Sequence, residues 1–250
     1  MQRYFLYYDN KLSLDEIIYI NDSDYHHIKN VMRMKITDKV YLSTNNDDSY
    51  IGEIIDINDN DVVIKVIEVL ENKSEINCHV VIAQGLVRRE KTEEVLRRIT
   101  ELGASGFIQV EMDRSVVKVK DYSKNDKIDR MKKIVKEASE QSHRNKIPEV
   151  YNLESFKGFI NKFKDYDFKV FAYEESGRAN DKSFKSIIKS AVNKKMVVLV
   201  GPEGGFSLNE VKLLEANGFV SVGLGPRILR TETAPLYIMS AISYELELGE

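Results

Sequence analysis

Met196-Val197-Val198-Leu199-Val200-Gly201-Pro202-Glu203-Gly204-Gly205-Phe206-Ser207 reads as a buried strand that stops at a stiffened glycine loop. A second stretch repeats the pattern. Phe219–Leu224 runs into Gly225-Pro226-Arg227-Ile228-Leu229-Arg230-Thr231-Glu232-Thr233, and a helix is expected to follow each loop. Residues 201–225 hold 6 of the 13 glycines, and Pro202 and Pro226 are half of the 4 prolines. Glycine lets backbone approach a ligand closely, and proline stiffens the loop. Ligands of open α/β sheets bind at the carboxyl ends of the strands. The two loops therefore predict one pocket built mainly from backbone. Taken singly, each is also an ordinary strand-to-helix turn.

Outward from these loops the chain alternates strand and helix. Strands are expected at Cys78–Ala83, Phe107–Glu111 and Phe168–Tyr173, besides the two already named. Helices are expected at Lys91–Leu102, closed by Gly103, then at Lys127–Ser142, Leu208–Asn217, closed by Gly218, and Pro235–Leu248. This alternation predicts an α/β domain with a largely parallel sheet covered on both faces. Upstream the rhythm is β. Gln2–Tyr7, Lys39–Ser43, Tyr50–Ile57 and Val62–Leu70 read as strands, with a short helix over Asp24–Met32 capped by Asp22 or Ser23. They predict a small barrel. The polar stretch Glu71–Glu75 is the boundary, dividing the chain into 1–72 and 73–250.

Composition narrows the function classes. The chain has 250 residues, a net charge of -3, a single cysteine and 42% hydrophobic residues. Cys78 alone excludes an intrachain disulfide and a multi-cysteine zinc site. His26 and His27 are adjacent, and adjacent helical residues do not share a face; no metal is expected. No apolar run is long enough for a membrane span, and Met1-Gln2-Arg3-Tyr4 carries no signal pattern, so a cytoplasmic protein is expected. No G-x-x-x-x-G-K-[ST] is present, and Gly223-x-Gly225 lacks the third glycine of a dinucleotide fingerprint. The net charge conceals a partition. Residues 1–72 carry 7 basic and 14 acidic side chains, while Arg88–Lys146 carries 16 and 11. A positive stretch of this kind points to a polyanionic partner.

Several motifs in register resemble one family. The two glycine loops, through Leu224-Gly225-Pro226-Arg227-Ile228-Leu229-Arg230-Thr231-Glu232-Thr233-Ala234, are similar to the signature of the ribosomal RNA small subunit methyltransferase E family, in the SPOUT superfamily. Asp24-Tyr25-His26-His27-Ile28-Lys29-Asn30-Val31-Met32-Arg33, Gln84-Gly85-Leu86, Thr100-Glu101-Leu102-Gly103 and Arg114-Ser115-Val116-Val117 also resemble family elements, as does the run from Glu137 to Arg144. Asp113 stands where the family usually has Glu, and Leu96-Arg97-Arg98-Ile99 is less typical. The resemblance implies an amino-terminal PUA-like β-barrel that helps hold RNA. It also implies a carboxy-terminal SPOUT domain with a deep trefoil knot. The implied activity is S-adenosylmethionine-dependent methylation of the N3 atom of a uridine in 16S rRNA, by a homodimer acting on the assembled small ribosomal subunit.

Residue roles follow from the same resemblance. Gly201, Glu203, Gly204, Leu224, Gly225, Ile228 and Leu229 are expected to line the cofactor pocket, with Tyr173 closing one side. Arg230 is the candidate for charge stabilisation on the uracil, with Arg227 second. Glu232 is a candidate general base, and equally a helix-start acid. The expected RNA contacts are Arg3, His26, His27 and Arg33 in the first segment, and Arg88, Arg89, Arg114 and Arg144 in the second. Lys118, Lys132, Lys133 and Lys146 are further phosphate candidates. The acidic first segment is unusual for an RNA clamp. Two other functions fit the residues: a related knotted methyltransferase acting on another RNA position, and a non-enzymatic RNA-binding or ribosome-assembly protein.

Overall fold

The computed structural model describes residues 1–8, 10–46, 48–71, 74–117, 124–173 and 183–249. Lys118 lies outside them. The chain divides into two units. The first is Met1–Glu75 with Ser139–Lys146, and the second is Ile76–Ala138 with Ile147–Glu250.

The first unit contains β1 (Arg3–Phe5), β2 (Ile17–Ile20), α1 (Asp22–His26), β3 (Lys39–Ser43), β4 (Ser49–Ile57) and β5 (Val62–Leu70). They form one five-stranded sheet in the order β1-β3-β4-β5-β2. β1 joins β3 in parallel, and the other pairings are antiparallel. Among the described residues no ladder joins β1 to β2, so the expected barrel is not closed by hydrogen bonds. Alternation along the strands sends Tyr4, Ile18, Ile20, Val40, Leu42, Ile54, Ile64 and Val66 into one core. The expected helix over Asp24–Met32 is instead α1 followed by a π-helical turn, His27–Val31, whose signature is the bond from Met32 N–H to His27 O at 2.8 Å. Its N-cap is Asn21, which makes no side-chain capping bond, and not Asp22 or Ser23.

The second unit contains β6 (His79–Gly85), α2 (Arg89–Glu101), β7 (Gly106–Glu111), α3 (Lys124–Gln141, whose last residues belong to the first unit), β8 (Glu149–Val150), β9 (Glu154–Ser155), α4 (Phe156–Lys162), β10 (Phe168–Ala172), α5 (Ser183–Lys189), β11 (Lys195–Val200), α6 (Leu208–Ala216), β12 (Val220–Val222) and α7 (Ala234–Ser243). The sheet order is β12-β10-β11-β6-β7-β8, with β9 also on β7, and all its pairings are parallel. Strands buried on both faces need apolar residues at every position, which Met196–Val200 supplies.

One face of this sheet, through Val80, Ile82 and Val198, packs on α2, α3, α5 and α7. The other, through Val81, Ala83 and Leu199, packs on α4 and α6. Gly103 at φ +89° and Gly218 at φ +77° end α2 and α6 in left-handed caps, as their positions predict. β10, β11 and β12 are adjacent and parallel, so the loops that leave their carboxyl ends emerge side by side. Within α7, Ile238, Met239 and Ile242 are buried in this unit, while Tyr237 stays exposed. Intrachain packing thus takes up part of the apolar surface of the closing helix. No helix among the described residues is long and apolar enough to cross a membrane.

Candidate functional site

The loops after β11 and β12, with the end of β10, enclose a cavity of about 700 Å³. Its walls include Ala172, Tyr173, Val200, Gly201, Glu203, Gly204, Leu224, Gly225, Ile228 and Leu229. Every residue expected to hold a cofactor is therefore at one cavity. They are not equally placed: Ile228 is 67% exposed, whereas Leu224 and Leu229 pack against the core. Gly225, at φ +98°, has open space where a side chain would stand. The Tyr173 N–H bonds Val222 O at 3.0 Å, prolonging the β10–β12 register, and its ring meets Phe206 edge-on at 6.2 Å.

Local chemistry fixes the loops. Ser207 and Glu210 form a capping box at the start of α6, with Ser207 N–H to Glu210 Oε2 at 2.7 Å. The other oxygen of the buried Glu210 accepts the Asp113 N–H at 2.8 Å, and Ser207 Oγ donates to Asp113 Oδ2 at 2.6 Å. This clamps the segment after β7 to the first glycine loop. A Cβ on Gly204 would stand 2.8 Å from Arg114 Cβ and 2.9 Å from Arg114 O. The Arg114 guanidinium itself donates to Gly204 O at 3.2 Å. In the second loop, the buried Thr231 donates to Gly201 O at 2.7 Å and receives two bonds from Gln84, at the end of β6.

The charged groups at the cavity are Lys91, Arg114, Glu203, Arg227, Arg230 and Glu232. Arg230 is 85% exposed in its side chain and stands 4.0 Å from Glu232. The close partner of Glu232 is Lys91, at 3.2 Å, and Lys91 also pairs with Glu203 at 3.2 Å. Bonding to Glu203 first, and to Glu232 as well, holds the Lys91 ammonium above its ordinary pKa. Both oxygens of Glu232 thus face cations, which is the setting of a charge partner. Glu232 also precedes the Thr233 N-cap of α7, outside the helix's first turn. Sequence reasoning missed Lys91. Its signal was slight: a lysine on the first turn of the helix that follows Gln84-Gly85-Leu86.

The expected RNA-binding residues separate into two groups. His26, Arg33, Arg88, Arg89 and Arg114 are exposed. Arg89 is paired with Glu93 at 2.7 Å, a carboxylate that also holds Arg130. His27 is half-buried against the Tyr4 hydroxyl at 3.1 Å. Two residues are used internally. Arg3 is 1% exposed, and its guanidinium donates to Ser43 Oγ at 2.5 Å and to Ser49 Oγ and Asn145 Oδ1 at 2.8 Å. Arg144 is buried and ion-paired to Glu75, whose Oε1 also accepts the N–H groups of Asn145 and Lys146. The expectation that Arg3 and Arg144 meet phosphate is corrected: committed and buried, they hold the first unit together. Lys132 and Lys133 are exposed on α3, and Lys146 is exposed in the first unit. Among the described residues no cluster of three acidic, histidine or cysteine side chains is set to hold a metal.

The comparisons agree with this architecture. A model of the RNA methyltransferase domain matches residues 74–243, and one of the RNA methyltransferase PUA domain matches residues 20–67. The chain is similar to Ribosomal RNA small subunit methyltransferase E of Bacillus subtilis, at 41% identity over 99% of this chain and 98% of that protein. It superposes on the crystal structure of a hypothetical protein with a TM-score of 0.91 at 37% identity, covering all of both chains. It shares its fold with the Ribosomal RNA small subunit methyltransferase E of Neisseria gonorrhoeae, solved bound to S-adenosyl methionine. There the TM-score is 0.82 at 24% identity, over 97% of this chain and 96% of that one. This chain belongs to the ribosomal RNA small subunit methyltransferase E family.

Proposed function

We propose that this protein transfers the methyl group of S-adenosylmethionine to N3 of a uridine in 16S rRNA, on the small ribosomal subunit. The observation that carries the reading is the cavity at the ends of β10, β11 and β12, walled by backbone and apolar side chains and rimmed by arginines. Such a lining fits an adenosine moiety, whose ring edge needs N–H and C=O partners and whose faces need apolar contact. Leu224 and Leu229 supply the apolar surface, and the open space beside Gly225 leaves room for the ligand. When bound, the cofactor supplies an electrophilic methyl group on a sulfonium sulfur.

The chain's own work is positioning and charge. The clamped loops form a fixed wall against which an acceptor nitrogen would be brought, and proximity and orientation carry much of a transfer of this type. Arg230, exposed and loosely paired, is placed to neutralise the negative charge of a deprotonated uracil. The N3 proton leaves to water. Arg114 and Arg227 share the rim and suit phosphate contacts, with Arg88, Arg89, His26 and Arg33 as further contacts.

The wider reading takes from the family resemblance a trefoil knot in the second unit, RNA holding by the first unit and a homodimer, and an activity on ribosomal RNA fits a cytoplasmic location. Exposed Tyr237, Tyr244 and Leu248 near the end of the chain offer apolar surface for a second copy. Calorimetric titration tests the pocket. Wild type is expected to bind S-adenosylmethionine, and Gly204→Trp, which drives a ring into the Arg114 backbone, is expected to abolish binding. An unchanged titration in the variant would refute the pocket.

A further inference from the structure

We propose that Lys91 is a positioning residue of this site: its ammonium ties Glu203, after β11, to Glu232, after β12, and so holds the two glycine loops as one cavity wall. The proposal rests on the methyltransferase reading for its consequence, and on geometry alone for the tie. One nitrogen stands 3.2 Å from a carboxylate oxygen of each loop. The three side chains are all partly shielded, with exposures of 32%, 29% and 19% for Lys91, Glu203 and Glu232. A charge pair shielded in this way is screened less than one at the open surface.

Lys91 is presented from a fixed element. Val95, Leu96 and Ile99 bury α2 in the core, and Glu93 bridges it to Arg130 of α3. Deeper in, Thr231 joins Gly201. Nearer the mouth, the charged neighbours Arg114, Arg227 and Arg230 are cations, which can attract the two carboxylates but cannot draw them to one point on α2. Without the ammonium, Glu203 and Glu232 would repel each other and turn towards those arginines.

The test uses the full chain with Lys91→Gln, Lys91→Arg and Glu203→Gln. Amide hydrogen exchange on the protein without cofactor reads the tie directly. Lys91→Gln and Glu203→Gln are expected to speed exchange in residues 201–205 and 230–233 by about tenfold, while α2 stays protected. Lys91→Arg, whose guanidinium can serve two carboxylates, is expected to stay near wild type. In methyl transfer to small subunits, Lys91→Gln is expected to raise the cofactor KM about tenfold with kcat changing by less than about threefold, and Lys91→Arg to restore most of it. Loops as protected in Lys91→Gln or Glu203→Gln as in wild type would overturn the proposal. A wild-type protein that binds no S-adenosylmethionine would instead overturn the methyltransferase reading, and the exchange comparison would still decide the tie.

Discussion

The Gln84 carboxamide donates to both the backbone oxygen of Thr231, at 2.9 Å, and its hydroxyl, at 3.2 Å. Thr231 passes the contact on to Gly201 O at 2.7 Å. One buried hydroxyl thus joins the ends of β6 and β11 to the second glycine loop. Thr231→Val keeps the shape and removes the relay. It leaves a buried carbonyl without its donor, which costs about 1–3 kcal/mol. Urea denaturation is expected to show a loss of that size, and calorimetry a weaker affinity for S-adenosylmethionine. A variant as stable as wild type would mean that water replaces the hydroxyl.

Glu93 makes acid stability measurable. Its carboxylate is held at about pKa 2, against an ordinary 4.5, chiefly by the bond from Arg130 and then by Arg89, with burial opposing. A depressed carboxylate contributes stability that is present above the ordinary value and lost as pH falls through the folded one. The loss attributable to Glu93 should therefore run from about pH 4.5 down to about pH 2. Glu93→Gln should be less stable than wild type at pH 7. The two unfolding curves should converge across that window, and a constant gap between them would contradict the assignment.

The corrected reading of Arg3 separates stability from RNA binding. Arg3→Ala leaves Ser43, Ser49 and Asn145 facing one another without their shared donor. It is expected to cost about 2–4 kcal/mol in thermal or chemical unfolding, several bonds to a charged group being lost. Arg33→Ala, at an exposed residue, is expected to stay within about 0.5 kcal/mol of wild type and to weaken binding to small subunits. An Arg3→Ala protein with wild-type stability would return Arg3 to the list of RNA contacts.

Much of this site is legible in the sequence because its signals are local. A continuous apolar run must be buried on both faces, and a glycine-proline loop at its end must turn there. Met196–Val200 and the glycine-proline loop after it therefore locate the cavity without any knowledge of distant contacts, and the second glycine-proline loop, at residues 225–226, points to the same place. Gly103 and Gly218 mark helix ends for the same reason. What escaped reading depends on partners far along the chain. Lys91 is an ordinary helix lysine until Glu203 and Glu232 are brought to it. Arg3 and Arg144 read as phosphate ligands because arginine's usual place is the surface. Their burial requires Ser43, Ser49 and Asn145 in one case and Glu75 in the other. Short elements were also missed: β2 is an edge strand in a mixed run, and α4 carries Gly158 in its first turn, where Ser155 Oγ caps it. The π-helical turn after α1 inserts a residue that no helical period anticipates.

Transfer of a labelled methyl group from S-adenosylmethionine into purified small ribosomal subunits that lack the modification, followed by identification of the labelled nucleoside, tests the proposed activity. One labelled species is expected, a uridine methylated at N3, with no labelling by Gly204→Trp. Label on a ribose 2′-hydroxyl or on another base, or no transfer by the wild-type protein, would contradict it.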